Sequence, residues 1–335
     1  MANANRGAEV LDMARAGRSL QSIADEDIDF RAYAEREERA RVIPAESLAE
    51  EGKRRMLLGT AAEAGLTLPW LKADGKVRIA PGKLALWVGW THHGKSQMVK
   101  QVMLHAILEG ERVCIASMEE EIREVWCDMG RMACGCSEPT VREINRWIEF
   151  GTGKLWFYDQ QGMVDAAKIK AVVRYCAEVL HITQFVVDSL MMLAVDRDDY
   201  EAQSRFIGEL KSLAKDTGCT IHLVAHLRKR EGKNGDEQPG SIHEIAGAHD
   251  IASKADYVFN VWRDKAKKVV GNPECVLSVE KQRGRINWLG RLSLEFHPGS
   301  RQFIEDKFAM QFWSAKSREP GEDDAVEQFS QPGRA

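Results

Sequence analysis

Gly89-Trp90-Thr91-His92-His93-Gly94-Lys95-Ser96 is a complete G-x-x-x-x-G-K-S set, placed between the apolar run LALWV and a helical pattern that begins at Ser96. Glycines let such a loop curl until successive backbone N–H groups point inward, and the following helix adds the positive end of its dipole. Together these make a cradle for phosphate oxygens. Within it the Lys95 ammonium reaches the β- and γ-phosphates of a nucleoside triphosphate, and the Ser96 hydroxyl ligates Mg²⁺. Gly89, Thr91, His92, His93, Gly94 and Gln97 are read with them as nucleotide-binding positions. The competing reading is a Gly-rich turn without a ligand, and the strand before and helix after the loop argue against it.

A phosphate loop of this kind needs acids on neighbouring strands. The run Phe185-Val186-Val187-Asp188 ends in one, placing Asp188 with Ser96 as a metal-holding pair, or leaving it as an ordinary helix cap. The run Val113-Cys114-Ile115-Ala116-Ser117-Met118-Glu119 ends in another. Glu119 could orient or deprotonate a water, although Glu120 and Glu121 follow it and acids at a helix start also complement the dipole. A third run, Thr220 to His226, ends in a histidine where a group sensing the γ-phosphate would sit; a lone histidine is otherwise usually structural.

These residues must be positioned by something, and the texture of the chain says what. From Leu66 onward short apolar strands alternate with amphipathic helical stretches: KLALWVGW, SQMVKQVMLHAILEG, ERVCIASME, EEIREVWCDMGRMA, KLWFYDQ, DAAKIKAVVRYCAEVL, ITQFVVDSL, EAQSRFIGELKSLAKDTG and CTIHLVAHL. Nearly all-apolar strands flanked by helices indicate a mostly parallel sheet covered on both faces, whose carboxyl edge presents ligands. Three further β-rich stretches, YVFNVWRD, ECVLSVEKQR and WLGRLSLEFHPGSRQFIED, read as an antiparallel C-terminal extension. Residues 1–64 form a charge-rich helical segment, 65–312 the α/β domain, and 313–335 a polar acidic tail expected to be disordered.

The 335 residues carry 47 Lys and Arg against 51 Asp and Glu, a formal charge of −4, so contact with a polyanion must come from a local stripe. Hydrophobic residues at 44% and charged residues at 29% describe a globular chain, not a fibrous or disordered one. Seven cysteines without a regular framework read as reduced thiols, and no long apolar run suggests secretion or membrane spanning. A cytoplasmic setting is expected. The basic run Arg228, Lys229, Arg230 and Lys233 suits a groove that tracks single-stranded phosphates, or a solvated loop; Arg197, among aspartates, is a further candidate for DNA contact.

The ordered series GWTHHGKS, ASMEE, FVVDSL, LVAHLRKR, EIAGAHDIASKADYVFNVWRD and SVEKQRGR resembles the RecA-like ATPase domain of the DnaB family of hexameric replicative helicases, including its Twinkle-like and phage primase-helicase branch. The resemblance implies a RecA-like P-loop fold, ATP and Mg²⁺ as cofactors, and translocation of a homo-hexamer on single-stranded DNA, 5′ to 3′. It implies Lys95 and Ser96 on the nucleotide, Glu119 as catalytic base, Asp188 as the second acid, and His226 coupling the γ-phosphate to DNA loops. Lys281 and Arg283 would act in trans on the neighbouring subunit's nucleotide, and residues 45–64 would pack on the adjacent protomer. The family's Arg and Gly-Ser-Gly ahead of the Ala-Asp pair are replaced by Ile245-Ala246-Gly247-Ala248-His249-Asp250. A primase, a loader or a single-strand-binding protein are the partners implied, with the chain itself read as helicase without primase, suiting a phage or plasmid replicon. A recombinase-like or KaiC-like filament or ring ATPase, and a non-catalytic docking module, are the alternatives.

Overall fold

The computed structural model describes residues 28–34, 44–58, 64–160, 162–192, 200–227, 252–264, 274–284, 286–305 and 312. Its elements in chain order are α1 (Phe30–Ala34), α2 (Ala49–Leu58), β1 (Leu84–Gly89), α3 (Lys95–Leu108), β2 (Val113–Ser117), α4 (Ile122–Cys134), α5 (Val141–Gly151), β3 (Leu155–Tyr158), α6 (Ala166–Val179), β4 (Gln184–Asp188), α7 (Tyr200–Thr217), β5 (Thr220–His226), β6 (Tyr257–Arg263), β7 (Cys275–Gln282), β8 (Gly290–His297) and β9 (Gln302–Ile304). The nine strands form one sheet in the order β3-β2-β4-β5-β1-β6-β7-β8-β9.

Side-chain alternation explains why β1 lies in the middle. Leu84, Leu86 and Val88 enter one apolar cluster with α6 and α7, whereas Ala85 and Trp87 enter the other with α3 and α4. A strand apolar at both parities has two faces to bury and so takes a central place between layers of helix. One chain of polar atoms within this core links three strands. Trp87 Nε1 donates to His222 Nδ1 at 3.1 Å, and the other ring nitrogen of His222 lies 2.9 Å from Gln184 Oε1, joining β1, β5 and β4.

One expectation needs correcting. The stretch containing β6 is not part of the antiparallel extension, because β6 runs parallel to β1 in the register Ala85↔Tyr257 to Val88↔Asn260. Reversal begins only at β7, which is antiparallel to β6, and continues through β8 and β9. A β-rich composition is shared by parallel and antiparallel strands alike; direction is set by the crossover ahead of the strand. The α2 helix carries exposed Met56 and Leu57, with Leu48 exposed just before it. Residues 313–335, the expected acidic tail, lie outside the described residues.

Candidate nucleotide site

Four adjacent parallel strands, β2, β4, β5 and β1, end at the same edge of the sheet. Gly89 is in register with His226, and Ser117 with Asp188, so the phosphate loop, both acids and the histidine converge although they are far apart in the chain. The carboxyl edge of an open parallel sheet is where ligands bind.

The loop itself is built on glycine. A Cβ at Gly89 would land on the carbonyl oxygen of Val261 in β6, so no larger residue fits there. Gly94, at φ 86°, caps α3, and a Cβ on it would lie 2.7 Å from Cζ of Phe303. Left-handed backbone costs a residue with a side chain roughly 1 kcal/mol, and a Cβ here would also force the Phe303 ring to shift. His92 takes a positive φ of 65° and is exposed, as is Thr91. His93 is buried, and its Nδ1 accepts from the backbone N–H of Arg263 at 3.0 Å. Gln97 points elsewhere than the cradle, donating to the Arg301 carbonyl at 2.8 Å.

Lys95 is 4% exposed, and its Nζ donates to the Trp90 carbonyl at 3.0 Å and to His226 Nδ1 at 3.2 Å. Since Nδ1 accepts from an ammonium, the His226 proton sits on Nε2, which donates to Glu119 Oε1 at 3.4 Å. Thr91 Oγ1 lies 3.4 Å from the same Nδ1. A continuous polar path thus runs from the phosphate lysine through His226 to Glu119. The His226 hydrogen bond, joined by one from the Ser189 hydroxyl and by the Lys95 charge, outweighs partial burial and holds the Glu119 carboxyl down at about 2. It is ionised at neutral pH, as an acceptor of a proton from water must be.

Asp188 is shifted in the opposite direction. Burial pushes its carboxyl up to about 6, the nearby Glu119 and Glu120 add to the rise, and the Ser96 hydroxyl and Lys100 oppose it. Its Oδ1 is buried without a hydrogen-bond partner among the described residues. A carboxylate oxygen so placed beside a serine hydroxyl fits a hard divalent cation, which prefers oxygen ligands. Ser96 and Asp188 are therefore suited to the metal positions expected of them.

Lys281 and Arg283 are not at this edge. Because β7 runs antiparallel, Gln282 pairs with Tyr257, and Tyr257 with Ala85, which puts both cations near the start of β1, opposite the phosphate loop. Lys281 donates to the carbonyls of Ala252 and Ser253 at 2.8 and 2.7 Å, and burial, with Arg283 and Lys211 nearby, lowers its ammonium to about 8. Arg283 is half exposed, donating to the Ser253 carbonyl at 3.0 Å with Asp256 at 3.9 Å. Arg197, Arg228, Lys229, Arg230 and Lys233 lie outside the described residues, as does the stretch from Ile245 to Asp250.

The fold also assembles groups that motif reading passes over. Ser189, fully buried, donates its hydroxyl to Glu119 Oε1. Lys100, 4% exposed, pairs with Glu120 at 2.6 Å and so neutralises one of three consecutive acids at the mouth of a phosphate site. The Arg263 guanidinium, at the end of β6 beside the loop, pairs with Glu274 at 2.9 Å and stacks 3.9 Å from the centre of the Phe296 ring. Apolar-strand endings signal Ser189 and Arg263 weakly; nothing local marks Phe296.

Comparison with known proteins bears on the whole arrangement. Residues 78–305 match the model of the DnaB-like helicase C terminal domain. A DNA helicase/primase of Enterobacteria phage T3 is 23% identical over 202 residues, covering 55% of this chain and 36% of that protein, so the chain spans about a third of that relative's length. Among solved structures, one ATPase domain is covered completely by 80% of this chain at 13% identity and TM-score 0.62. A DnaB-like replicative helicase, solved in a study of its interactions with primase, is covered to 76% by 90% of this chain at 13% identity and TM-score 0.63. The structural likenesses show the fold, and the family match over more than half of the chain shows its membership: this chain belongs to the family of the DnaB-like helicase C-terminal domain.

Proposed function

We propose that the chain is the motor of a hexameric replicative DNA helicase, hydrolysing ATP to move along single-stranded DNA and part a duplex. The observation that carries this is the meeting of Lys95, His226, Glu119 and Asp188 on four adjacent strand ends, with Arg283 half exposed at the opposite edge of the same sheet. The loop backbone and Lys95 hold the phosphates. Glu119 takes a proton from the water whose oxygen attacks the γ-phosphorus, while the bond from that phosphorus to the bridging oxygen breaks and ADP leaves. Ser96 and Asp188 would hold Mg²⁺, which neutralises phosphate charge when bound.

His226 bonds both Lys95 and Glu119, and the strand it ends leads directly into the basic run at 228–233. A change in phosphate occupancy at Lys95 therefore reaches the residues proposed to grip DNA through one hydrogen bond to His226 and the chain that follows it. A site with its finger residue on the far edge is incomplete alone and calls for a head-to-tail neighbour, which closes into a ring when the rotation permits. Electron microscopy with ATP and single-stranded DNA, beside strand displacement from a forked duplex, tests the reading. Closed six-fold rings and ATP-dependent displacement are expected, whereas open filaments or monomers without displacement would overturn it.

A further inference from the structure

Every hydrogen bond and ion pair that Glu119 makes among the described residues falls on one of its two oxygens. Oε1 accepts from the Ser189 hydroxyl and from His226 Nε2. Ser189 has no exposed surface, and its backbone is tied in place: Asp188, the residue before it, accepts from the Met118 N–H at 2.9 Å through its carbonyl, locking the end of β4 to the residue preceding Glu119. The hydroxyl and the carboxylate are thus brought together by the ends of two adjacent strands, β2 and β4.

Building on the proposed ATP hydrolysis, we propose that Ser189 is a positioning residue for the water-activating carboxylate: its hydroxyl pins Oε1 of Glu119, leaving Oε2 as the oxygen that receives the proton of the attacking water. A free glutamate rotates about its last torsion with little preference, so two equivalent oxygens would compete for water, phosphate-bound lysine and histidine. His226 alone cannot hold the carboxylate through the cycle, because it also bonds Lys95 and must respond when phosphate arrives. Ser189 carries no charge, and among the described residues its hydroxyl bonds the carboxylate and no group of the proposed nucleotide cradle, which is what a constant anchor requires.

The test compares Ser189→Ala, Ser189→Thr and Glu119→Gln in the full chain, measuring steady-state ATP turnover and the affinity for a fluorescent ATP analogue. Loss of one orienting bond, with the reacting atoms misplaced, should lower kcat of Ser189→Ala by about ten- to a hundredfold. Its KM and nucleotide affinity should stay within about twofold, since the anchor does not meet the ligand. Ser189→Thr keeps the hydroxyl and should recover most of the lost kcat; if the added methyl unfolds it, Ser189→Cys, a weaker donor, should fall between Ser and Ala. Glu119→Gln separates this inference from its foundation. If Glu119→Gln retains turnover, the carboxylate is not the base and the proposed mechanism itself falls. If Glu119→Gln binds nucleotide without turnover while Ser189→Ala keeps kcat within about twofold, only the anchor is refuted. It is equally refuted if Ser189→Ala weakens nucleotide binding as much as it slows turnover, or if a folded hydroxyl- or thiol-bearing variant is as slow as alanine.

Discussion

Arg283 is the residue whose replacement discriminates most sharply between a self-sufficient nucleotide site and one shared between chains. Gln282, its neighbour, is aligned through Tyr257 with Ala85, four residues before Gly89 in β1, so about 13 Å of strand separates it from the start of the phosphate loop at roughly 3.3 Å per residue. Its guanidinium therefore has no route to its own chain's γ-phosphate. Within its own chain the side chain is about half exposed, and Asp256 keeps Lys211 at 2.9 Å and the Leu84 N–H when Arg283 is gone. The stability cost of Arg283→Ala should be no more than about 1 kcal/mol, a few degrees in Tm. If the guanidinium serves a neighbour's transferring phosphate, turnover should fall by about 10³-fold or more, roughly 4 kcal/mol of barrier. The assay is mixing: Arg283→Ala subunits retain Lys95, Lys95→Ala subunits retain Arg283, and in a randomly mixed head-to-tail ring about a quarter of interfaces combine the two intact halves. ATPase recovery toward about that fraction is expected from two inactive proteins. Mixed rings, shown to form by subunit exchange, whose activity is only the sum of the parents would refute the composite site.

Lys95→Ala should abolish hydrolysis with the circular dichroism and Tm nearly retained, because the loop shape is held by Gly89, Gly94 and Phe303, not by the ammonium; turnover within a few-fold of the parent would remove the phosphate-loop assignment. Alanine at Arg228, Lys229, Arg230 and Lys233 together should weaken single-stranded DNA binding evenly across sequences and flatten its salt dependence by about 0.7 in log–log slope for each phosphate no longer neutralised; an unchanged slope would put the DNA path elsewhere. His222, which burial lowers to about 3, binds its proton in the unfolded chain and not in the fold, so its contribution to stability is intact above about pH 6.5 and is lost as pH falls below it, at up to about 1.4 kcal/mol per pH unit. Urea unfolding of the parent and of His222→Leu at pH 7, 6 and 5 should show the variant weaker at pH 7 and shallower by that slope below it; parallel curves would mean the ring is not titrating.

What could be read from the linear sequence was what physics makes local. The loop from Gly89 to Ser96 advertises itself because turn, cradle and helix start are contiguous, and the strands that carry Glu119, Asp188 and His226 are short apolar runs with a polar last residue. Their convergence depends on sheet order and register, β2-β4-β5-β1, which no local pattern encodes. The same reason hid the Ser189–Glu119 bond, whose partners are 70 residues apart, and the direction of β6. Lys100 was hidden differently: on a helix pattern it looks like a solvent-facing lysine, and only the packing of α3 against the β2–α4 turn turns it inward to Glu120.

The antiparallel extension shows how the remaining part of the fold bears on the site. Phe303 of β9 fills the space that glycine leaves at Gly94, its N–H donates to Gln101 Oε1 at 2.8 Å, and its carbonyl accepts from Gln101 and Trp70 at 2.9 and 2.8 Å. Gln97 and Gln101, one turn apart on α3, thus clamp the helix that carries Lys95 and Ser96 to the β8–β9 hairpin. Phe296 of the same hairpin packs on Phe303 at 5.4 Å and lies under Arg263. Phosphates resting on the loop would therefore be held by one continuous block of side chains. In this fold β8 and β9 are as much a part of the phosphate cradle as the glycines are, because the ring packed against Gly94 comes from them.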